Sequence, residues 1–408
     1  MTDYLIEGAR VLLPGGLEDC AVRVGGGVIA GINAPAGRAA LRIDGRGRIL
    51  APALVDIHGD AFERQVMPRP GVFLPIETAL IDTDRQLAAN GIATAYHALT
   101  LSWEPGLRSV AQGTRFVEGL ATHGHRLTVD HRVQLRWETF AFEAMAMIET
   151  ALAGPKTPAI AFNDHTSMAL RAFDVPLQAR AFEHDPAFAT ADPADPRLLA
   201  RLAGSARRAG MTAEDYRAQL LEIWDRRADV PAAIARIAAA GQAADAPMLS
   251  HDDSQEATRR FYRDHGARIA EFPMDADLAR SARRQGDATV FGAPNVVRGG
   301  SHIGSPDAAA MVMEGTGDIL ASDYVYPAML AAVGRMRREG RGDLARLWRT
   351  VSTAPARALG LSDRGEIREG MRADLVLLDW PQDGMPAVDL TLSAGRIAYL
   401  GRDLVRAG

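Results

Sequence analysis

Six side chains of metal-ligating type stand out in this sequence: His58, Asp60, Glu138, His165, His251 and Asp323. Imidazole and carboxylate are the donors that zinc, manganese and iron take from proteins. His58 and Asp60 are at i and i+2, a spacing that turns both side chains to one side of an extended segment. Six groups exceed what one four-coordinate ion needs, so the expectation is two divalent ions, zinc first, with manganese or iron as alternatives, and open positions for water. The single cysteine, Cys20, excludes intrachain disulfides and thiolate sites.

Two ions held ~3.5–4 Å apart need an anionic bridge, which barrel sites take from a carboxylated lysine or a glutamate. Lys156 is the only lysine and precedes a strand instead of following one, so the bridge is assigned to Glu138. Such a site lowers the pKa of bound water to about 7 and gives a hydroxide nucleophile at neutral pH, with Asp323 to orient it and accept its proton. Each residue alone has a plainer reading. A lone His-x-Asp is commonly a surface pair, Asp252 and Asp253 suit the cap of a helix starting near Ser254–Glu256, and Asp323 suits a helix cap too.

Their positions argue for chemistry. The middle of the chain alternates apolar strands with helical stretches such as Glu77–Ala89 and Val110–Ala121, the pattern of a parallel β/α fold. The strands are Ala53–Ile57, Ala93–Ala98, Arg132–Trp137, Ala159–Phe162, Pro247–Ser250, Arg268–Glu271, Ala288–Phe291 and Ile319–Ala321. Every one of the six candidates follows or ends a strand, the face on which (β/α)8 barrels carry their sites. Short alternating strands lie within Tyr4–Leu13, Ala21–Val24 and Val28–Ile32, and again at Asp374–Leu378, Asp389–Ser393 and Arg396–Leu400. We expect a (β/α)8 barrel over 51–360 and a small β-sandwich domain built from both termini, 1–50 and 361–408. The connection 166–246 is too long for a simple crossover. It carries a helix over Ala213–Arg227 and reads as a lid or substrate wall.

An anionic substrate needs local basic groups, because the net charge is −5. The run Asn295–His302 is Gly-rich and follows a strand, so its free N–H groups, Arg298, Ser301 and His302 could hold phosphate; a plain turn is the alternative. Arg64, Arg69 and Arg136 are further candidate anion ligands on the same face, with plain surface arginines as the alternative. His131 and His265 read as structural, and His97 ends the second strand. The same net charge argues against a nucleic-acid partner. No apolar run reaches the ~20 residues that span a bilayer, and no secretory signal opens the chain. A cytoplasmic protein without a membrane partner is expected, with homo-oligomerisation left open.

The runs Val55–Asp60, Pro68–Pro70, His131–Glu138, Asn163–His165, Ser250–Asp253, Gly292–His302, Ser322–Tyr324 and Asp363–Leu378 resemble the amidohydrolase superfamily. More narrowly, Ser-His-Asp-Asp and Gly-Ala-Pro-Asn-Val-Val-Arg-Gly-Gly-Ser-His resemble the alpha-D-ribose 1-methylphosphonate 5-triphosphate diphosphohydrolases of phosphonate metabolism. That resemblance implies hydrolysis of a sugar 5-triphosphate to the 5-phosphate and pyrophosphate by a metal-bound hydroxide. The chain departs from it at Ala61, where the family tends to carry Asn, and at His97, where an acidic residue is expected. Two other readings stay open: hydrolysis of C–N bonds in an amide or cyclic amidine, and a non-catalytic binding protein. The latter predicts a broken ligand set, whereas all six ligands are present.

Overall fold

Strands whose side chains are apolar on both faces belong in a parallel sheet covered by helices. In the computed structural model, which describes residues 3–33, 41–301 and 303–407, eight such strands pair in chain order as one parallel sheet. They are β1 (Leu54–Gly59), β2 (Ile92–Leu101), β3 (Asp130–Glu138), β4 (Ala159–Asn163), β5 (Met248–His251), β6 (Ile269–Glu271), β7 (Ala288–Gly292) and β8 (Ile319–Ala321). Each predicted strand is present, with β1 and β2 running further than their apolar cores suggest.

The sheet closes on itself. Gly59 and Asp323 form a parallel bridge, with the Asp323 N–H donating to His58 O and the Asp60 N–H to Asp323 O, both at 2.9 Å. Asp56, wholly buried, reinforces the seam by accepting the Ser322 N–H at 3.1 Å. Val55, Ile57, Ala161, Leu249, Ile269, Val290 and Ile319 pack into one apolar cluster drawn from around the barrel.

Helices Ile76–Ala89 and Val110–His123 cover the outside much as the sequence predicts. Ser109 caps the second through Gln112 N at 3.3 Å, and Gly91, at φ +77°, ends the first. The insertion differs from its expectation. Besides the expected helix it carries another, Pro196–Ala209, which follows the turn Asp192–Asp195 and is capped by Asp195, with Pro196 in its first turn and Gly210 left-handed at its end, helix-boundary residues in their usual places. The predicted helix 213–227 is α-helical over Ala213–Trp224 and continues as a 3₁₀ turn.

Both termini contribute to two further sheets. One orders Val405–Ala407, Leu41–Asp44, Tyr4–Glu7, Val22–Gly25 and Val28–Ile32; the other orders Arg396–Leu400, Ala387–Ser393, Leu375–Asp379, Ile49–Pro52, Arg10–Leu13 and Gly16–Asp19. Ile6, Val11, Val22, Ile43, Leu50, Leu375, Leu377 and Leu390 form the core of this sandwich. The stretch Tyr4–Leu13 is two strands, broken at Gly8 (φ +77°). Among the described residues, no helix is long and apolar enough to cross a membrane.

Gly59 is fixed by the seam. A Cβ there would lie 2.6 Å from Asp56 Oδ2 and 3.0 Å from Ser322 Oγ. Gly59→Ala is expected to destabilise the fold by about 1–3 kcal/mol, as overpacking does, seen as a lower melting temperature. Gly204→Ala is the control: it sits inside a helix, and a Cβ added there would meet nothing within 4 Å, so its melting temperature should hold or rise.

Candidate active site

Three strands leave the barrel through a non-glycine residue in the left-handed region: Asp252 after β5 (φ +57°), Phe272 after β6 (φ +54°) and Asp323 after β8 (φ +55°). Each donates its N–H to the neighbouring strand, at Glu271 O, Val290 O and His58 O. This strained exit is stabilised by the ladder and turns the flanking polar side chains into the barrel mouth.

Among the described residues, the structure gathers there three groups whose ligand-type atoms lie within 4.8 Å of one another: His58, Asp60 and Asp323; His165, His251 and Asp252; and His58, His251 and Glu271. Five of the six sequence candidates therefore meet. Glu138 is adjoining: its carboxylate accepts the backbone N–H of His165 at 3.0 Å and bonds the His165 Nδ1. Burial raises the Glu138 pKa, but His165 more than offsets this and holds it at about 2.

Two members lie outside the six candidates. Glu271 ends the predicted sixth strand and satisfies the same strand-end rule as the six, so that rule applied evenly finds it. It is fully buried, accepting from His251 Nδ1 at 2.9 Å and from Gln134 Nε2 at 2.7 Å. Its other contact is His58 Nδ1, also 2.9 Å away but not directed as a hydrogen bond. Burial opposes its charge, yet the two imidazoles lower its pKa well below the usual carboxylate range. Asp252 is the second, and the helix-cap reading of it fails. The helix Glu256–Asp264 begins at Gln255 without a side-chain cap, and Asp252 Oδ2 lies 3.4 Å from His251 Nε2 and 3.9 Å from His165 Nε2. The Asp323 cap reading also fails, because the next helix starts only at Ala328.

These bonds fix the tautomers. His251 donates Nδ1–H to Glu271, which leaves the Nε2 lone pair facing Arg136 Nη2 at 2.8 Å. Burial lowers the His251 pKa against the pull of Asp252. Burial also depresses His58, but Glu271 reverses the sign and its pKa is raised. Asp323, out of water and facing Asp60, is raised to about 7.

Of the anion-binding candidates among the described residues, Arg136 alone enters this mouth. It reaches His251, Asn163 Oδ1 at 3.2 Å and, at 3.7 Å, Asp60 Oδ2. Arg298 ends the helix Ala293–Arg298 and sits exposed in its last turn, where a Gly-rich loop is expected from the sequence. Ser301 Oγ accepts the Ile303 N–H at 3.2 Å. Arg64 is exposed and bonds Tyr324 O; Arg69 is exposed in a turn closed on Val72. His302 lies outside the described residues. His97 and Ala61, where the chain departs from the family pattern, face the helical layer. His97 Nε2 and His131 Nδ1 share a hydrogen bond at 2.8 Å, His131 Nε2 bonds Asp84 at 3.0 Å, and Phe62 and Phe116 pack on the His97 ring. Ala61 is buried among apolar side chains. Lys156 pairs with Asp130 at the start of β3, 2.6 Å away, far from any bridging position.

Beside the mouth lies a cavity of about 310 Å³ that includes Glu138 and His165 in its wall and extends under the insertion to Arg108, Arg171, Arg201 and Arg208.

A closed β/α barrel with imidazoles and carboxylates gathered at its strand ends defines a hydrolase class. The sequence profile of the amidohydrolase family matches residues 144–399, more than half of the chain, and the chain belongs to that family. It is 28% identical over 379 residues, 91% of its own length and 94% of the other's, to the alpha-D-ribose 1-methylphosphonate 5-triphosphate diphosphatase of Escherichia coli strain K12. Solved structures share the fold at low identity. Dihydropyrimidinase from Brevibacillus agri NCHU1002 matches with TM-score 0.58 at 15% identity, and a D-hydantoinase with TM-score 0.62 at 12%; each alignment covers 99% of this chain and 96% of the other.

The Asp323 shift yields a stability prediction for chelator-treated protein. An acid raised in the folded state contributes stability that is complete below its unfolded pKa and lost as pH rises through the folded value, here about 7. The melting temperature of the wild type should therefore fall relative to Asp323→Asn as pH rises from about 4, near the unfolded pKa, to about 7, the folded one, and run parallel to it above that. Parallel pH profiles for the two proteins that show no such divergence would remove this charge from the balance.

Proposed function

We propose that this chain is a metal-dependent phosphoanhydride hydrolase that converts alpha-D-ribose 1-methylphosphonate 5-triphosphate to the 5-phosphate and pyrophosphate. The observation that carries the reading is the arginine-lined cavity opening on Glu138 and His165, which suits a polyanion and offers an uncharged amide nothing. The Escherichia coli relative supports it through the activity in its name and near full-length similarity.

The donor set fits divalent cations. His165 and His251 each give one ring N–H to a carboxylate, which orients the other nitrogen as a ligand and raises its basicity, and His58 Nδ1 is a buried nitrogen without a directed partner. We assign His58, Asp60 and Asp323 to one ion and His165, His251 and Asp252 to a second, with zinc first among the metals. Bound ions would supply a water acidified to near neutrality. Asp323 would orient the attacking water and take up its proton at a carboxylate oxygen. Arg136 offsets charge developing on the phosphoryl oxygens. The bridge falls to Glu138, as the residue types suggest, or to Glu271, which already contacts His58 and His251 of both groups.

Purified protein supplied with zinc or manganese should hold about two ions per chain by elemental analysis and release pyrophosphate from ribose 5-triphosphate derivatives. One ion or fewer would break the binuclear assignment. Absence of phosphoanhydride turnover, with hydantoin or amide cleavage instead, would replace the proposed reaction.

Glu138→Gln should lose at least one ion and nearly all turnover, because a neutral amide cannot offset repulsion between two cations. Two retained ions with full turnover would move the bridge to Glu271.

A further inference from the structure

We propose that the insertion between β4 and β5 builds a subsite for the two distal phosphoryl groups of the substrate, with Arg171 and Arg201 as its cationic ligands. The inference rests on the triphosphate reading and gives the insertion its purpose.

Arg171 follows the short helix His165–Leu170, and Arg201 lies in the middle of Pro196–Ala209. Both are half-buried and line the cavity of about 310 Å³ shared with Glu138 and His165. Their planes are fixed by neutral acceptors. Arg171 donates Nε to Val175 O at 3.0 Å and Nη1 to Met168 O at 2.7 Å. Arg201 donates Nη1 to Ala169 O at 3.0 Å and to Arg171 O at 2.6 Å, and its guanidinium stacks on the Phe173 ring at 4.1 Å. Among the described residues, neither forms an ion pair, and Arg171 Nη2 with Arg201 Nε and Nη2 have no protein acceptor.

The other two arginines of the cavity wall, Arg108 and Arg208, are neutralised, and so is Arg197 beside Phe173, whereas buried Arg180 lies outside the wall and is held by Asp252 O. Arg108 lies on Glu63 at 2.9 Å, Arg208 on Glu104 at 3.2 Å, and Arg197, which also stacks on Phe173, on Asp195 at 2.6 Å. Two ordered guanidiniums left uncompensated within one cavity repel each other unless an anion joins them. Burial, with Arg201 and Arg180, presses the Arg171 pKa below its ordinary value; burial, with Arg197, does the same to Arg201 against the pull of Asp195. Their planar forks match the oxygens of a phosphoryl group.

The direction follows from the site. A phosphoanhydride cleaved beside Glu138 and His165 places the departing pyrophosphate on one side of the mouth and the sugar on the other. The departing group carries the larger charge, so it gains most from the two uncompensated cations. Water adds to the proximal phosphorus, the bond from that phosphorus to its bridging oxygen breaks, and the distal pair leaves with that oxygen.

The test is calorimetric titration of the metal-loaded full chain with inorganic pyrophosphate and, separately, with methylphosphonate. Arg171→Gln and Arg201→Gln keep a donor for the carbonyls but remove the charge. Each should weaken pyrophosphate roughly ten- to a hundredfold, as loss of a charge-assisted hydrogen bond does, with methylphosphonate binding unchanged. Arg201→Lys should recover part of the loss, and Arg197→Gln should bind as the wild type. If the wild type cleaves triphosphates while both Gln variants bind pyrophosphate normally, the subsite is wrong and the reaction stands. If the variants lose methylphosphonate instead, the distal assignment is wrong. A wild type that neither binds pyrophosphate nor cleaves triphosphates defeats the reaction itself. Should the Gln variants fold poorly, modification of the wild type by phenylglyoxal decides by mass spectrometry: pyrophosphate should protect Arg171 and Arg201, and unprotected arginines would overturn the proposal.

Discussion

A carboxylate that cannot reach water must be held by donors, and Glu271 is the point in this molecule where that requirement fixes everything around it. Its oxygens meet His58, His251 and Gln134. The two imidazoles consequently stack nearly parallel, 9° between planes with centroids 5.6 Å apart. With the tautomer of His251 set, its remaining lone pair must face the mouth, and Arg136 is what faces it. The guanidinium also approaches Asp60. Two like charges ~4 Å apart repel by about 4 kcal/mol at the effective dielectric near a protein surface. Asp60, Asp252 and Asp323 crowd one opening, so the mouth requires cationic charge to be stable. Arg136 supplies a fixed share of it, and a divalent ion at His251 Nε2 would compete with Arg136 for the same lone pair.

The backbone is shaped to the same end. Left-handed non-glycine residues cost roughly 1–3 kcal/mol each, and the barrel holds three of them at its active face. Each is secured by a ladder hydrogen bond to the next strand. The exit at Asp252 has a further clamp from the insertion: buried Arg180 donates Nη2 to Asp252 O at 3.1 Å, and Ser254 Oγ donates to Arg180 O at 2.8 Å. The insertion can act as a clamp because it has a core of its own, in which Leu198, Leu202 and Ala206 of one helix pack on Tyr216 and Leu220 of the next. Tyr216 then donates its hydroxyl to buried Glu104 at 2.8 Å, tying that core to the loop after β2. Long βα connections on this face thus do more than cover it.

The barrel is legible in the sequence because its signal is local. Apolar runs of strand length, alternating with helical periods, identify strands without reference to partners, and polar side chains at their C-terminal ends follow from the architecture. That logic reaches His58, Asp60, Glu138, His165, His251 and Asp323. It reaches Glu271 as well, the last residue of the predicted sixth strand, once the strand-end rule is applied to every strand. Asp252 is hidden by a competing local rule, since Asp before a helix ordinarily caps it. Positive φ at Asp252 and Asp323 comes from tertiary hydrogen bonds and leaves no mark in the sequence. His97 misleads for a related reason. It belongs to β2 but on the face turned to the helices, where its Nε2 meets His131 and the Phe62 and Phe116 rings pack on it.

Arginine poses the hardest case, because in a chain with one lysine nearly every positive charge is an arginine and the residue type alone distinguishes nothing. What separates a binding arginine from a structural one is its partner. Arg259, fully buried, lies between Asp253 and Asp287 and serves the core. Arg364 joins the start of β3 to the loop ahead of the sandwich strand Leu375–Asp379 through Asp130 and Asp374. Arg108 and Arg208 line the cavity yet are already neutralised by Glu63 and Glu104. Arg171 and Arg201, whose acceptors are backbone carbonyls, keep their charge available. Carbonyls orient a guanidinium without cancelling its field, so the same hydrogen bonds that hold these two side chains in place leave them attractive to an anion. That distinction depends on distances between segments far apart in the chain, and it therefore emerges only once the insertion is folded against the barrel.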